Sequence, residues 1–214
     1  EMAVLYRAHF QSLEIQMELT HRGIPFLITS GLRFFEQAHI KDVAAFMRFV
    51  VNRKDEVSFL RMVSLLPGCG PGTAAKLWNE WLKSGWAEKE ELPLKGKWSD
   101  LFLKFKVPKK SAKHWEQLCY TLDELTPDGQ FATPSAMIFS ILEGIYDDYL
   151  GATYDNADSR HSDLEKLSEY AANFTDILEF LQQLSLMSST DGEPDSSSST
   201  DHRSPITDHD KVTL

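Results

Sequence analysis

From Phe34 onward the apolar residues recur, segment by segment, at three- and four-residue intervals, and that spacing commits those segments to helices with one buried face. In His39 to Val51 the apolar positions are Ile40, Val43, Ala44, Phe46, Met47 and Val50; in Asp55 to Leu66 they are Val57, Phe59, Leu60, Val63 and Leu66. Asn52 and Asp55 supply the stop and the restart. The same reading predicts helices over Gly72 to Lys83, Ser111 to Leu125, Pro134 to Leu150 and Asp163 to Leu186. No run reaches the roughly 18 apolar residues a membrane helix needs, and no basic segment leads into an apolar one at the start, so a soluble, cytoplasmic protein is expected.

The flanks follow a different period. Met2 to Arg7 is a short apolar run ending in a polar residue, Gln11 to Arg22 carries Leu13, Met17 and Leu19 at near-helical spacing before Gly23, and Ile24 to Thr29 reads as a second strand. Pro25 places that strand at an edge or at its own first residue. Strand, helix, strand implies an α/β unit with a parallel sheet. The fold class expected is therefore mainly α with a small α/β portion. Ser188 to Pro205 is built from Ser, Thr, Asp, Glu, Gly and Pro, which bury too little apolar area to offset ordering entropy, and reads as a flexible linker. Lys211 to Leu214 looks like the opening of another strand, and truncation at both ends is the expectation drawn from it.

Charge is divided along the chain. The net charge is −10, which by itself argues against nucleic acid, because phosphate binding uses Lys and Arg to displace counterions. Residues 1 to 118, however, hold 18 Lys and Arg against 13 Asp and Glu, a net of +5, and residues 119 to 214 hold 4 against 19, a net of −15. Cys69 and Cys119 lack the spacing of a zinc site and are too few for a disulfide framework, and the seven histidines are scattered, so no metal site is expected. Asn173-Phe174-Thr175 matches a glycosylation acceptor, a chance match without a signal peptide.

Three features carry chemistry. Leu65-Leu66-Pro67-Gly68-Cys69-Gly70-Pro71-Gly72-Thr73-Ala74-Ala75-Lys76-Leu77 lies between two predicted helices. It is either a tight turn between packed helices or a helix-hairpin-helix, in which glycines permit positive φ and close approach, and the amides opening the second helix bind phosphate without reading bases. Lys95, Lys97, Lys104, Lys106, Lys109, Lys110 and Lys113 are interleaved with Trp98, Phe102, Phe105 and Trp115. This is either a second backbone-contacting surface or a solvated lysine face over an aromatic mini-core. Arg7, preceded by Tyr6, stands at the carboxyl end of the first strand, where α/β sheets place ligand-binding residues and where surface arginines are also common.

The order and spacing of Ala3-Val4-Leu5-Tyr6-Arg7, Gln11-Ser12-Leu13-Glu14, Gly23-Ile24-Pro25-Phe26, Gly31-Leu32-Arg33-Phe34-Phe35-Glu36, Ile40-Lys41-Asp42 and Asn52 resemble superfamily 1 DNA helicases of the UvrD/Rep/PcrA group. The likeness is strong over residues 2 to about 82, looser through the helical middle, and resumes at Leu164 to Leu186 and Val212-Thr213-Leu214. It implies that residues 1–30 open the second RecA-like motor domain, 31–165 form an inserted helical DNA-binding subdomain, 166–187 return to the motor, 188–209 are linker and 210–214 begin a motor strand. The sheet would then be a partial RecA-like parallel sheet.

By the same resemblance Tyr6 stacks near adenine, Arg7 reaches the γ-phosphate, and Gly68, Gly70, Gly72, Thr73 and Lys76 contact duplex DNA. The parent would be an ATP-dependent 3′ to 5′ DNA helicase using ATP with magnesium, acting at single-strand/duplex junctions together with the missing motor domain of the same chain. Ala8-His9-Phe10 departs from the family's usual small polar residue and Asn after the arginine. No GxxxxGK[ST] phosphate loop occurs in the 214 residues, so hydrolysis by this piece alone is not expected. The competing class is a non-catalytic DNA-binding or scaffolding module that keeps the hairpin; a helicase-nuclease relative is disfavoured because no nuclease carboxylate cluster is visible.

Overall fold

A computed structural model describes residues 2–6, 12, 15–16, 18–19, 22–27, 34–89, 97–189 and 212–213. Arg7, Lys95, most of the helix expected over residues 11–22 and the linker from residue 190 onward lie outside the described residues. By internal contacts the chain forms two compact units, one of residues 38–181 and one of residues 1–37 with 182–214.

Among its described residues the second of these contains three two-residue strands, β1 (Met2–Ala3), β2 (Phe26–Leu27) and β3 (Val212–Thr213). All pairing is parallel, in the order β1-β3-β2, with Met2 and Phe26 both opposite Val212. The parallel pairing expected of a strand-helix-strand sequence is therefore present, and the C-terminal strand stands between the two N-terminal ones.

The 38–181 unit is helical throughout its described length. Helix α1 (Ala38–Val51) is buried along most of its length and packs on α2 (Glu56–Ser64). The helix α2 starts where Asp55 accepts from the Ser58 amide at 3.0 Å and the Ser58 hydroxyl at 2.6 Å, a capping contact worth about 1 kcal/mol. Next comes α3 (Pro71–Lys83), whose Pro71 has no N–H to lose at the first helical position. A short helix not foreseen from periodicity, α4 (Trp98–Phe102), precedes α5 (Ala112–Leu125).

The helix expected over Pro134 to Leu150 is interrupted. It comprises α6 (Pro134–Ile141), a π-helical turn over Leu142–Tyr146 and α7 (Asp147–Thr153). Inside the π turn, a Cβ on Gly144 would stand 2.3 Å from Thr121 Oγ1 of α5, so only glycine lets these two helices approach so closely.

The single helix expected over Asp163 to Leu186 is in fact two, α8 (Ala157–Ala171) and α9 (Ile177–Ser189). Between them Phe174 N–H donates to Ala171 O, and Asp176 Oδ1 accepts from the Leu178 amide at 2.6 Å, which restarts the helix.

The core has an aromatic end. Phe49 of α1 lies 5.3 Å from Phe59, 5.9 Å from Trp81 and 5.5 Å from Trp98 between ring centroids, and Trp81 stacks on Phe102 at 5.0 Å. Each deeply buried indole N–H has an acceptor: Trp81 donates to Arg53 O at 2.9 Å, Trp98 to Thr126 Oγ1 at 2.9 Å and Trp115 to Phe102 O at 2.8 Å. The rings thus bury large apolar area without stranding their polar atoms.

Candidate nucleic-acid interface

The turn between α2 and α3 is set by one residue that needs to be glycine for conformational reasons. Gly68 has φ +80, outside the range L side chains adopt without strain, and it reverses the chain after the exposed Pro67. Leu66 and Cys69 point inward on either side of it and are 3% and 2% exposed. Gly70 caps α3 with φ −73 and ψ 176, a conformation open to any residue, and a Cβ at Gly70 or Gly72 would meet nothing within 4 Å. These two glycines therefore leave bare backbone facing open space.

The amides expected to open α3 unpaired are only partly so. Thr73 N–H and Ala74 N–H both donate to Gly70 O, at 2.9 and 3.0 Å, and Pro71 has no N–H. Among the described residues Gly70 and Gly72 are left as amides without an acceptor. The free donors thus come from the glycines, because the helix tightens at its first turn and occupies the Thr73 amide. Lys76, one turn along α3, is exposed, while Ala74, Leu77, Trp78 and Trp81 anchor the other face in the core.

The lysine-aromatic segment separates into two layers. Trp98, Phe102 and Trp115 are 0%, 0% and 2% exposed, so these rings are core and present no face to stack on a base. Lys104, Lys106, Lys109, Lys110 and Lys113 are all exposed, and among the described residues none of them is in an ion pair.

What the sequence did not signal is where this segment docks. Ser111 Oγ donates to Pro67 O at 2.6 Å and accepts from Cys69 Sγ at 3.3 Å, and the Lys110 Cβ lies 3.5 Å from where a Cβ on Gly68 would stand. The lysine turn and the glycine turn, 42 residues apart in sequence, are thereby brought edge to edge. A pocket of about 210 Å³ lies behind the glycine turn, lined by Leu65, Leu66, Pro67, His114 and Tyr149 among others.

Buried polar residues also tie helices together, and one of them, Tyr146, lines the same pocket. Asp42 accepts from Arg61 Nε at 2.6 Å and from Tyr146 OH at 2.5 Å. Burial, and then the Asp42 carboxylate, push the Tyr146 hydroxyl well above the usual phenol range. Burial likewise pushes the Cys119 thiol up to about 12, with Asp123 adding to it, so this thiol is an inert core group. His39 Nδ1 is 2.8 Å from Arg160 Nη1 and Nε2 is 3.1 Å from Asp163 Oδ2. A guanidinium only donates, so Nδ1 must accept and Nε2 must carry the proton that Asp163 receives.

Tyr6 follows β1 and is half-buried; its neighbour Arg7 is among the residues not described. No cluster of potential metal ligands, and no helix long and apolar enough to cross a membrane, occurs among the described residues.

Comparison with known proteins makes the class specific. The family model described as UvrD-like helicase C-terminal domain matches residues 1–205, and the chain belongs to that family. It is similar to DNA helicase II of Escherichia coli, 39% identical over 64 residues that cover 30% of this chain and 9% of the relative. PcrA, an ATP-dependent DNA helicase of Staphylococcus epidermidis, is 31% identical over 78 residues, 36% of this chain and 11% of the relative. Rep, an ATP-dependent DNA helicase of Buchnera aphidicola, is 37% identical over 84 residues, 39% of this chain and 12% of the relative. The matched portions thus span about a tenth of the length of these relatives.

Proposed function

We propose that this chain is part of an ATP-dependent DNA helicase that travels 3′ to 5′ and unwinds duplex DNA, and that its helical unit grips the duplex ahead of the fork. The observation that carries the reading is the glycine corner: Gly70 and Gly72 present free amides on bare, exposed backbone, with Thr73 and Lys76 beside them, held in place by Gly68. Amides at the positive end of a helix dipole receive phosphate oxygens regardless of sequence, and a corner without side chains lets the DNA backbone come within hydrogen-bond reach. The three short parallel strands are read as part of a RecA-like motor sheet, and the helical unit as its insertion.

In this reading ATP with magnesium is the fuel held by the rest of the helicase, whose other motor domain supplies the phosphate loop. Tyr6 would lie beside the adenine, and Arg7 would meet the γ-phosphate and stabilise charge that develops during phosphoryl transfer. In the full-length helicase, Arg7→Ala is expected to lower the ATPase rate by about 10³-fold or more with DNA affinity little changed; a near-normal rate would remove the arginine from the site.

The corner is tested best at Gly70, because its backbone accepts any residue and its Cβ would meet no atom of the protein. Gly70→Val is expected to leave the circular dichroism spectrum intact and to weaken binding of a forked duplex about tenfold by fluorescence anisotropy. Unchanged affinity in a folded variant means the duplex is gripped elsewhere. A scaffolding module without a motor is the alternative, and the Arg7 experiment separates the two.

A further inference from the structure

Ser111 immediately precedes the 14-residue helix α5 and is the residue type best suited to cap it, yet its hydroxyl caps nothing. It is wholly buried and is spent on the Pro67 carbonyl of the glycine turn. Around it the chain sets Lys109, Lys110 and Lys113, all exposed, without an acidic residue in the first turn of α5. Cations at this end of a helix oppose its dipole, and like charges crowded within five residues repel one another. Local rules of helix design are thus broken twice at one place, which is the pattern expected where a surface is shaped for a ligand. The ligand suited to such a surface is a polyanion, because no acidic side chain among the described residues pairs with these lysines.

We propose that the Lys109–Lys110–Lys113 turn is a second duplex-DNA contact, operating as one continuous surface with the glycine turn, and that Ser111 is the positioning residue that locks the two together. The proposal rests on the duplex-gripping role of the glycine corner. The division of labour follows from the groups involved: the glycine amides fix the register of one phosphate by short hydrogen bonds, whereas the lysines act as mobile point charges on neighbouring phosphates and release their counterions. Rigid attachment matters because point charges on an untethered loop would neutralise phosphates without orienting the duplex against the corner. The buried aromatic rings beneath have no part in reading bases, so the contact is blind to sequence.

The test measures affinity of the 214-residue chain for a forked duplex across a salt series, for the unaltered protein, Gly70→Val, Ser111→Ala, Ser111→Thr and the triple variant Lys109→Gln, Lys110→Gln, Lys113→Gln. The triple variant, altered only at exposed positions, should bind more weakly at low salt, and its plot of log affinity against log salt should flatten by roughly 2 to 3, about 0.9 for each phosphate that is no longer neutralised. Ser111→Ala should also flatten the slope, by less; Ser111→Thr, which keeps the hydroxyl, should restore it. On the triple-lysine background Ser111→Ala should flatten the slope no further, which a residue with a merely structural role would not reproduce.

A triple variant with the original slope overturns the lysine contact, and a Ser111→Ala variant that lowers thermal stability while keeping the original slope overturns the positioning role. If the unaltered protein binds duplex and Gly70→Val weakens it while the lysine variants change nothing, only this inference fails. If the unaltered protein binds no duplex, the gripping role falls with it.

Discussion

The two ends of helix α1 are held by opposite kinds of chemistry. Near its C-terminus Phe49 enters a stack of rings from α2, α3 and α4, in which the indole N–H groups of Trp81 and Trp98 find a backbone and a hydroxyl acceptor. At its N-terminus His39 is wholly buried between Arg160 and Asp163 of α8, and Asp42 one turn later joins Arg61 to Tyr146. Ring stacking is tolerant of small shifts and depends on area, whereas the polar cluster depends on each partner being present. The surface proposed to meet DNA draws on both: the lysine turn leads into Trp115 of the ring stack, whereas Leu65, Leu66 and Pro67 of the glycine turn share a pocket with Tyr146, the partner of Asp42.

That contrast can be broken from either side. The largest effect is expected at Trp81→Ala, which removes a ring at the centre of the stack and the donor to the Arg53 carbonyl; it should cost about 3 to 5 kcal/mol in urea denaturation. A loss below about 1 kcal/mol would mean that the rings are packed loosely and that the aromatic end is not the stronger one. Next comes Asp163→Ala, expected to cost about 3 kcal/mol because it strands the His39 N–H in a dry site. Exchanging both His39 and Asp163 for leucine should cost less than the two single exchanges added together, since no buried polar atom of the pair is then left alone. Strict additivity would show that the pair is not a unit.

These two ends were not equally legible in the sequence. The aromatic end sits on helices whose apolar spacing is plain, and Gly68 announced a turn that does carry positive φ. The polar end joins residues 124 positions apart, His39 and Asp163, and no local pattern links such partners. The break between α8 and α9 was hidden because Leu167, Ala171 and Phe174 keep the helical period straight through it, leaving Asn173 and Asp176 as the only marks. At the candidate interface the lysines were visible as charge, and the two readings left open in the sequence are separated by burial: Trp98, Phe102 and Trp115 are an aromatic core beneath exposed lysines. Ser111 could have been recognised as a helix start and nothing more, since its bond to Pro67 crosses 44 residues. Arg7, the residue that the family resemblance singled out for ATP, falls outside the described residues.

The order of strands has a consequence for the timing of assembly. Because β3 lies between β1 and β2, the two strands made first cannot bond to each other in the finished arrangement and must wait for Val212 and Thr213. All 144 residues of the intervening helical unit, 38–181, leave the ribosome before then and can settle their own core first. The pairing of β1 and β2 through β3 is therefore completed only after the helical unit has been made, and stalling synthesis just short of residue 212 should leave that unit folded with β1 and β2 not yet bridged.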